Sequence, residues 1–136
     1  MGLAALGSAL GVGFAGSAAI GAWKKCYVAN KPAPMTLLAF VGAPLTQTFY
    51  GYILMGQVAT AALANPDKGW LYVGFGLASG FGMGFSAMAQ GKCGAAGADA
   101  QGDTGKGFAQ YISVVGIAET VALFVMVLSM ISLTPQ

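Results

Sequence analysis

The charges of this chain are spaced so that four long stretches carry almost none. Met1 to Trp23, Pro34 to Asn65 and Gly69 to Gly91 hold no Lys, Arg, Asp or Glu, and Gly107 to Gln136 holds one, Glu119. Each stretch reaches the roughly 20 apolar residues that a helix needs to cross a bilayer. The spacing predicts four membrane helices, at about 2–28, 34–64, 69–98 and 106–133. The expected fold class is an all-α membrane protein. A membrane barrel would show alternating segments of about ten residues, and no such alternation is visible.

Composition closes the other routes. Charged residues are 7% of the 136 and hydrophobic residues 57%, whereas a soluble domain carries roughly 25% charge. Too few polar side chains remain to cover a soluble surface. A formal charge of +2 is too small for a nucleic-acid footprint. Histidine is absent, which removes the commonest acid–base group and metal ligand. The 22 glycines lack the every-third-residue period of collagen. No P-loop or other nucleotide motif occurs, so the chain is not expected to hydrolyse ATP or to be an enzyme.

The connections are short. Prolines break the first hairpin across Asn30-Lys31-Pro32-Ala33-Pro34, Asn65-Pro66-Asp67-Lys68-Gly69 forms the middle turn, and Gly97 to Lys106 reads as a Gly/Asp loop. Lys24, Lys25, Lys31, Lys92 and Lys106 fall on the side of the two hairpin loops and Lys68 on the other. The positive-inside tendency then places the hairpin loops in the cytoplasm and both termini outside. Cys26 and Cys93 fall on the cytoplasmic side, where reduced, structural thiols are expected.

The two halves resemble each other. Gly11-Val12-Gly13 with Ser17-Ala18 matches Gly80-Phe81-Gly82 with Ser86-Ala87 at a shift of 69, and Val41-Gly42 with Gln47-Thr48 matches Val115-Gly116 with Glu119-Thr120 at a slightly different one. This is a duplicated helical hairpin, 1–66 and 67–136. Gly13, Ser17, Gly21 and Gly76, Gly80, Gly84 recur every four residues, a spacing that lets helix backbones approach closely in lipid. Two glycine-rich helices would line the tight inner circle of a ring, with the bulkier second and fourth helices outside.

Glu119 is the one carboxylate far from any loop, and an ionisable group at that depth marks a function by default. Ala43, Thr46, Gln47 and Tyr50 follow at i, i+3, i+4 and i+7, sharing one face of the second helix. Pro44 has no N–H, so carbonyls near Phe40 and Ala43 become available. Gln90 stands in the third helix where the repeat has Gly21. One carboxylate, two amides, a hydroxyl and a freed carbonyl are all oxygen donors, which suit a hard cation. A single negative charge neutralises a monovalent ion, while a divalent one would leave net charge in lipid. The ion expected is Na⁺. A proton, which needs only the Glu and an apolar pocket, is the alternative.

These motifs, with Ala89-Gln90-Gly91-Lys92 and Ala118-Glu119-Thr120, resemble the proteolipid (K or c) of V-type ATPases, and most closely the four-helix form of bacterial Na⁺-translocating enzymes. The resemblance covers nearly the whole chain. It implies a homo-oligomeric rotor ring in the membrane, attached to central-stalk subunits and sliding past a stator subunit that supplies an Arg. It further implies that Glu119 is the ion carboxylate, that Thr46, Gln47, Gln90 and the Ala43 carbonyl are ligands, and that Tyr50 hydrogen-bonds Glu119. Ala43 departs from the larger Leu of the family, which a carbonyl ligand tolerates. Helix 4 has Glu119 where helix 2 has Gln47, so four helices carry one ion, a ratio suited to pumping against a steep gradient. A small cation or multidrug antiporter also uses four helices and an intramembrane Glu, but there the Glu usually lies in the first helix beside a roomy aromatic pocket. A structural pore would leave the oxygen cluster unexplained.

Overall fold

Small side chains decide how the helices of this chain come together. The computed structural model describes residues 1–133; the last three residues of the second hairpin, 134–136, lie outside them. Helix α1 spans Gly2–Val28. The second span, Leu37–Ala64, consists of α2 (Leu37–Gly42), a 3₁₀ turn at Ala43–Leu45 and α3 (Thr46–Ala64). A second 3₁₀ turn, Pro66–Lys68, leads into α4 (Gly69–Thr104), and α5 covers Phe108–Leu133. All four spans are long and apolar enough to cross a membrane, and among the described residues there is no strand.

The most extensive contact joins α1 to α4 rather than to its own hairpin partner. A Cβ on Gly7 would strike the backbone of Gly84, and one on Gly91 would strike the backbone of Gly11. The contacting row on α1 is therefore Ala4, Gly7, Gly11, Ala15, Ala19 and Ala22, all buried. This differs from the row expected from the glycine spacing. Gly13, Ser17 and Gly21 face away from the chain's interior, and a Cβ on Gly13 or Gly21 would meet nothing within 4 Å, whereas in the α4 row Gly80 and Gly84 pack on Leu3 as expected and Gly76 alone is open. Alanine is small enough to serve in such a row, so two small faces competed on α1 and the partner helix selected the one containing alanines.

Helix α4 also corrects the expected Gly/Asp loop at 97–106. The chain stays helical to Thr104 and turns only at Gly105, which takes a left-handed φ of 67° and donates its N–H to the Gln101 carbonyl at 2.7 Å. Three contacts hold the added turns. Gly97 lies against the Phe40 ring and Tyr111, and Gly102 against Ala22. Lys25 bridges Asp99 at 2.8 Å and Asp103 at 3.3 Å, an exposed pairing that orients more than it stabilises. With 36 residues, α4 is about 54 Å long and outruns a hydrocarbon core about 30 Å thick. Lys92 and Cys93, already expected within a third helix ending near 98, lie further from its end than that expectation gave.

Two apolar layers bracket the middle of the bundle. One joins Ala19, Ala22, Leu37, Phe40, Ala98 and Val115; the other joins Ala4, Leu54, Met83 and Ala122. The polar residues singled out in the sequence fall between them.

Candidate functional site

The site begins at the break in the second span. Pro44 offers no N–H to the Phe40 carbonyl, and that carbonyl packs toward α4, where a Cβ on Gly94 would lie 2.9 Å from it. The chain tightens into the 3₁₀ turn, and the Thr46 hydroxyl lies 3.0 Å from the Ala43 carbonyl and 3.3 Å from Gln47 Oε1. Its single proton serves either acceptor. Helix α3 then carries Gln47 and Tyr50 toward α4 and α5.

Gln47 and Gln90 are both fully buried. Gln47 Nε2 donates to Gln90 Oε1 at 2.7 Å. Gln90 Nε2 donates to Glu119 Oε2 at 3.1 Å and to the Val115 carbonyl at 3.2 Å. The Tyr50 hydroxyl donates to Glu119 Oε1 at 2.6 Å. Ala43, Thr46, Gln47, Tyr50, Gln90 and Glu119 thus form one continuous polar chain across three membrane segments. Both oxygens of the carboxylate are engaged. Among the described residues, the ion pairs formed are those of Lys25, so hydrogen bonds rather than a basic side chain hold Glu119. Its side chain is half-buried, and α5 leaves much of its own surface uncovered by the rest of the chain. The acid therefore stands at the margin of the bundle, where a neighbouring copy or lipid can meet it.

Two participants were missed in the sequence. Ser86 is nearly buried and donates to the Ala118 carbonyl at 2.8 Å. Ser79, Ser113 and Ser132 instead bond the carbonyl four residues back in their own helix. Ser86 and Gln90 together pin one turn of α5, at Ala118 and Val115, immediately beside Glu119. The signal was present: Ser86 lies four residues before Gln90 and so shares its face of α4. Val115 contributes only a backbone carbonyl, which residue type cannot reveal.

Residues 73–132 match the family model for the C subunit of ATP synthase. The second hairpin is similar to a c-type proteolipid. The matched stretch holds Ser86, Gln90 and Glu119, while the first hairpin lies outside it. No curated protein and no solved structure matches the chain at a significant level. Proteolipids of this family are non-catalytic, ion-translocating rotor subunits that assemble as homo-oligomeric membrane rings with other ATPase subunits. Its four helices, each long and apolar enough to cross a bilayer, point to a multi-pass membrane protein.

Proposed function

We propose that the chain is the four-helix proteolipid of a V-type rotary ATPase and carries one Na⁺ per copy, driven by ATP hydrolysis on partner subunits. The observation that carries this reading is the junction of Gln47, Gln90 and Glu119 in one hydrogen-bonded chain. A proton carrier has no use for two fully buried amides around its acid. A monovalent cation does, because neutral oxygens replace its water while one carboxylate cancels its charge.

The ligands are the Ala43 carbonyl, Thr46, Gln47, Gln90 and Glu119, with Tyr50 holding the carboxylate rotamer. Each amide has an oxygen and a nitrogen on one terminal torsion. Turning the Gln90 amide brings Oε1 toward Glu119 in place of Nε2, so that cation contacts replace the N–H bonds without moving a helix. Loaded, the site is neutral and its face of the ring enters lipid. Unloaded, the carboxylate is costly there and has to meet an opposite charge. This chain contains no Arg, so the stator supplies it. The hairpin loops face the cytoplasm and the central stalk, and both termini face outside.

Carbodiimide labelling of Glu119 tests the ion. At fixed pH, added Na⁺ protects the carboxyl from the reagent, and Glu119→Gln abolishes both labelling and transport while the protein still assembles. If acidification alone changes labelling and Na⁺ does not, the carried ion is H⁺. Normal transport by Glu119→Gln removes the carrier role altogether.

A further inference from the structure

Ser8 is 2% exposed, yet its hydroxyl has no hydrogen-bond partner among the described residues. Ser79, Ser113 and Ser132 each donate to the carbonyl four residues back, and Ser86 donates across to Ala118. Ser8 does neither. Leaving a buried hydroxyl unpaired is costly, and each such group calls for a physical reason.

The packing of α1 against the second span shows what Ser8 faces. A Cβ on Gly51 would meet the Ala4 side chain at 2.9 Å, and one on Gly11 would meet Pro44 Cβ at 2.8 Å. Position rises along α1 as it falls along the second span, so the two run antiparallel. The residue four after Ala4 and three before Gly11 then lies opposite the residue four before Gly51 and three after Pro44. Those residues are Ser8 and Gln47, and both are buried. The Gln47 amide has two N–H groups, and its nitrogen donates to Gln90 Oε1 at 2.7 Å.

Loading changes what Gln47 needs. When Gln90 turns Oε1 toward Glu119, it withdraws that oxygen from Gln47 Nε2 and presents its own N–H groups instead. Two donors then face each other. Gln47 keeps Oε1 on the cation beside Thr46, so its nitrogen needs a different acceptor. We propose that Ser8 is a positioning residue of the ion site, whose Oγ accepts from Gln47 Nε2 once the Gln90 amide has turned. A hydroxyl accepts and donates at once; the Ser8 proton goes to the Ala4 carbonyl one turn back, as serines in helices commonly arrange. Helix α1 supplies no ligand, yet through Ser8 it holds one ligand in place. The inference rests on the Na⁺ reading of the site and deepens it.

Carbodiimide labelling of Glu119 in the whole protein, titrated with Na⁺ at fixed pH, tests this role. Ser8→Ala raises the Na⁺ concentration for half-protection about fivefold, the worth of one hydrogen bond. Its labelling rate without Na⁺ equals that of wild type, because the hydroxyl serves the amides only after they turn. Thermal unfolding shows the same split. Without Na⁺, Ser8→Ala is at least as stable as wild type, since alanine has the higher helix propensity, and it gains less from added Na⁺. A residue that merely packs would shift both conditions together. Ser17→Ala, on the exposed side of α1, changes neither. Unchanged half-protection in Ser8→Ala, an equal shift in Ser17→Ala, or an altered labelling rate of Ser8→Ala without Na⁺ overturns the role of Ser8 and leaves Na⁺ as the cargo. A wild type that Na⁺ does not protect overturns the ion reading itself, and this inference with it.

Discussion

The seam between α1 and α4 and the wedge between α3, α4 and α5 use the same helix, α4, in opposite ways. At the seam, backbone meets backbone: Gly7 lies on Gly84 and Gly11 on Gly91. At the wedge, side chains meet side chains, through Gln47, Gln90, Tyr50 and Glu119. Backbone contacts have no rotamers and admit one arrangement. Amides and hydroxyls can exchange partners about a terminal torsion while the helices stay still. The molecule therefore joins a rigid stem to an adjustable site, as the proposed loading and unloading of an ion requires.

The contrast breaks hardest at the seam. Gly91→Val puts a branched side chain into the backbone of Gly11, where nothing flexible can yield. Overpacking of this kind costs about 1–3 kcal/mol in adaptable cores and more in rigid ones. The expected outcome is loss of folded protein, read as failure to recover a monodisperse species after extraction. A stable, assembled Gly91→Val would mean that the seam is softer than its geometry implies.

Gln90→Ala strikes the wedge instead. It removes a proposed ligand and strips Gln47 Nε2 and Glu119 Oε2 of their partner. A dehydrated cation left one oxygen short loses an interaction on the scale of a bond to a charged group, about 1.5–3 kcal/mol, so Na⁺ protection of Glu119 should require about tenfold more Na⁺ or beyond, with assembly intact. Unchanged protection would remove Gln90 from the ion's shell.

How much of this was legible beforehand depends on the kind of contact. The spans follow from charge spacing, because the cost of a charge in lipid acts on each residue separately. The convergence of the second, third and fourth spans on Glu119 was readable because polar groups at that depth need partners. What the sequence hid were choices made by a neighbour. The α1 stripe through Ala15, Ala19 and Ala22 beat the glycine row because of the shape of α4. The helical turns through Asp99 and Asp103 exist because Lys25 and Ala22 stand beside them.

Ser86→Ala probes the border between stem and site. The hydroxyl anchors the Ala118 carbonyl at 2.8 Å, one residue before the acid, and touches neither the carboxylate nor the other proposed ligands. Losing one such bond costs about 1 kcal/mol, so Na⁺ affinity should fall about fivefold or less. A positioning role also predicts faster carbodiimide reaction of Glu119 at fixed pH, as the acid spends more time turned outward, with Ser86→Thr restoring the slower rate. Reduced stability with an unaltered labelling rate would show that Ser86 only packs.

The smallest effect is the sharpest check on the seam. Gly13 belongs to the glycine row that spacing favours, yet a Cβ there meets nothing within 4 Å of it in the chain. Gly13→Ala should therefore leave the four-helix fold in place and add a few tenths of a kcal/mol, up to about 1 kcal/mol, through the better helix propensity of alanine. Gly11→Ala, two residues away and against Ala87 and Pro44, should be clearly destabilising. Thermal unfolding of the two variants in the same detergent measures the difference. If they destabilise equally, α1 is rotated from the face described here, and Ser8 loses its place opposite Gln47.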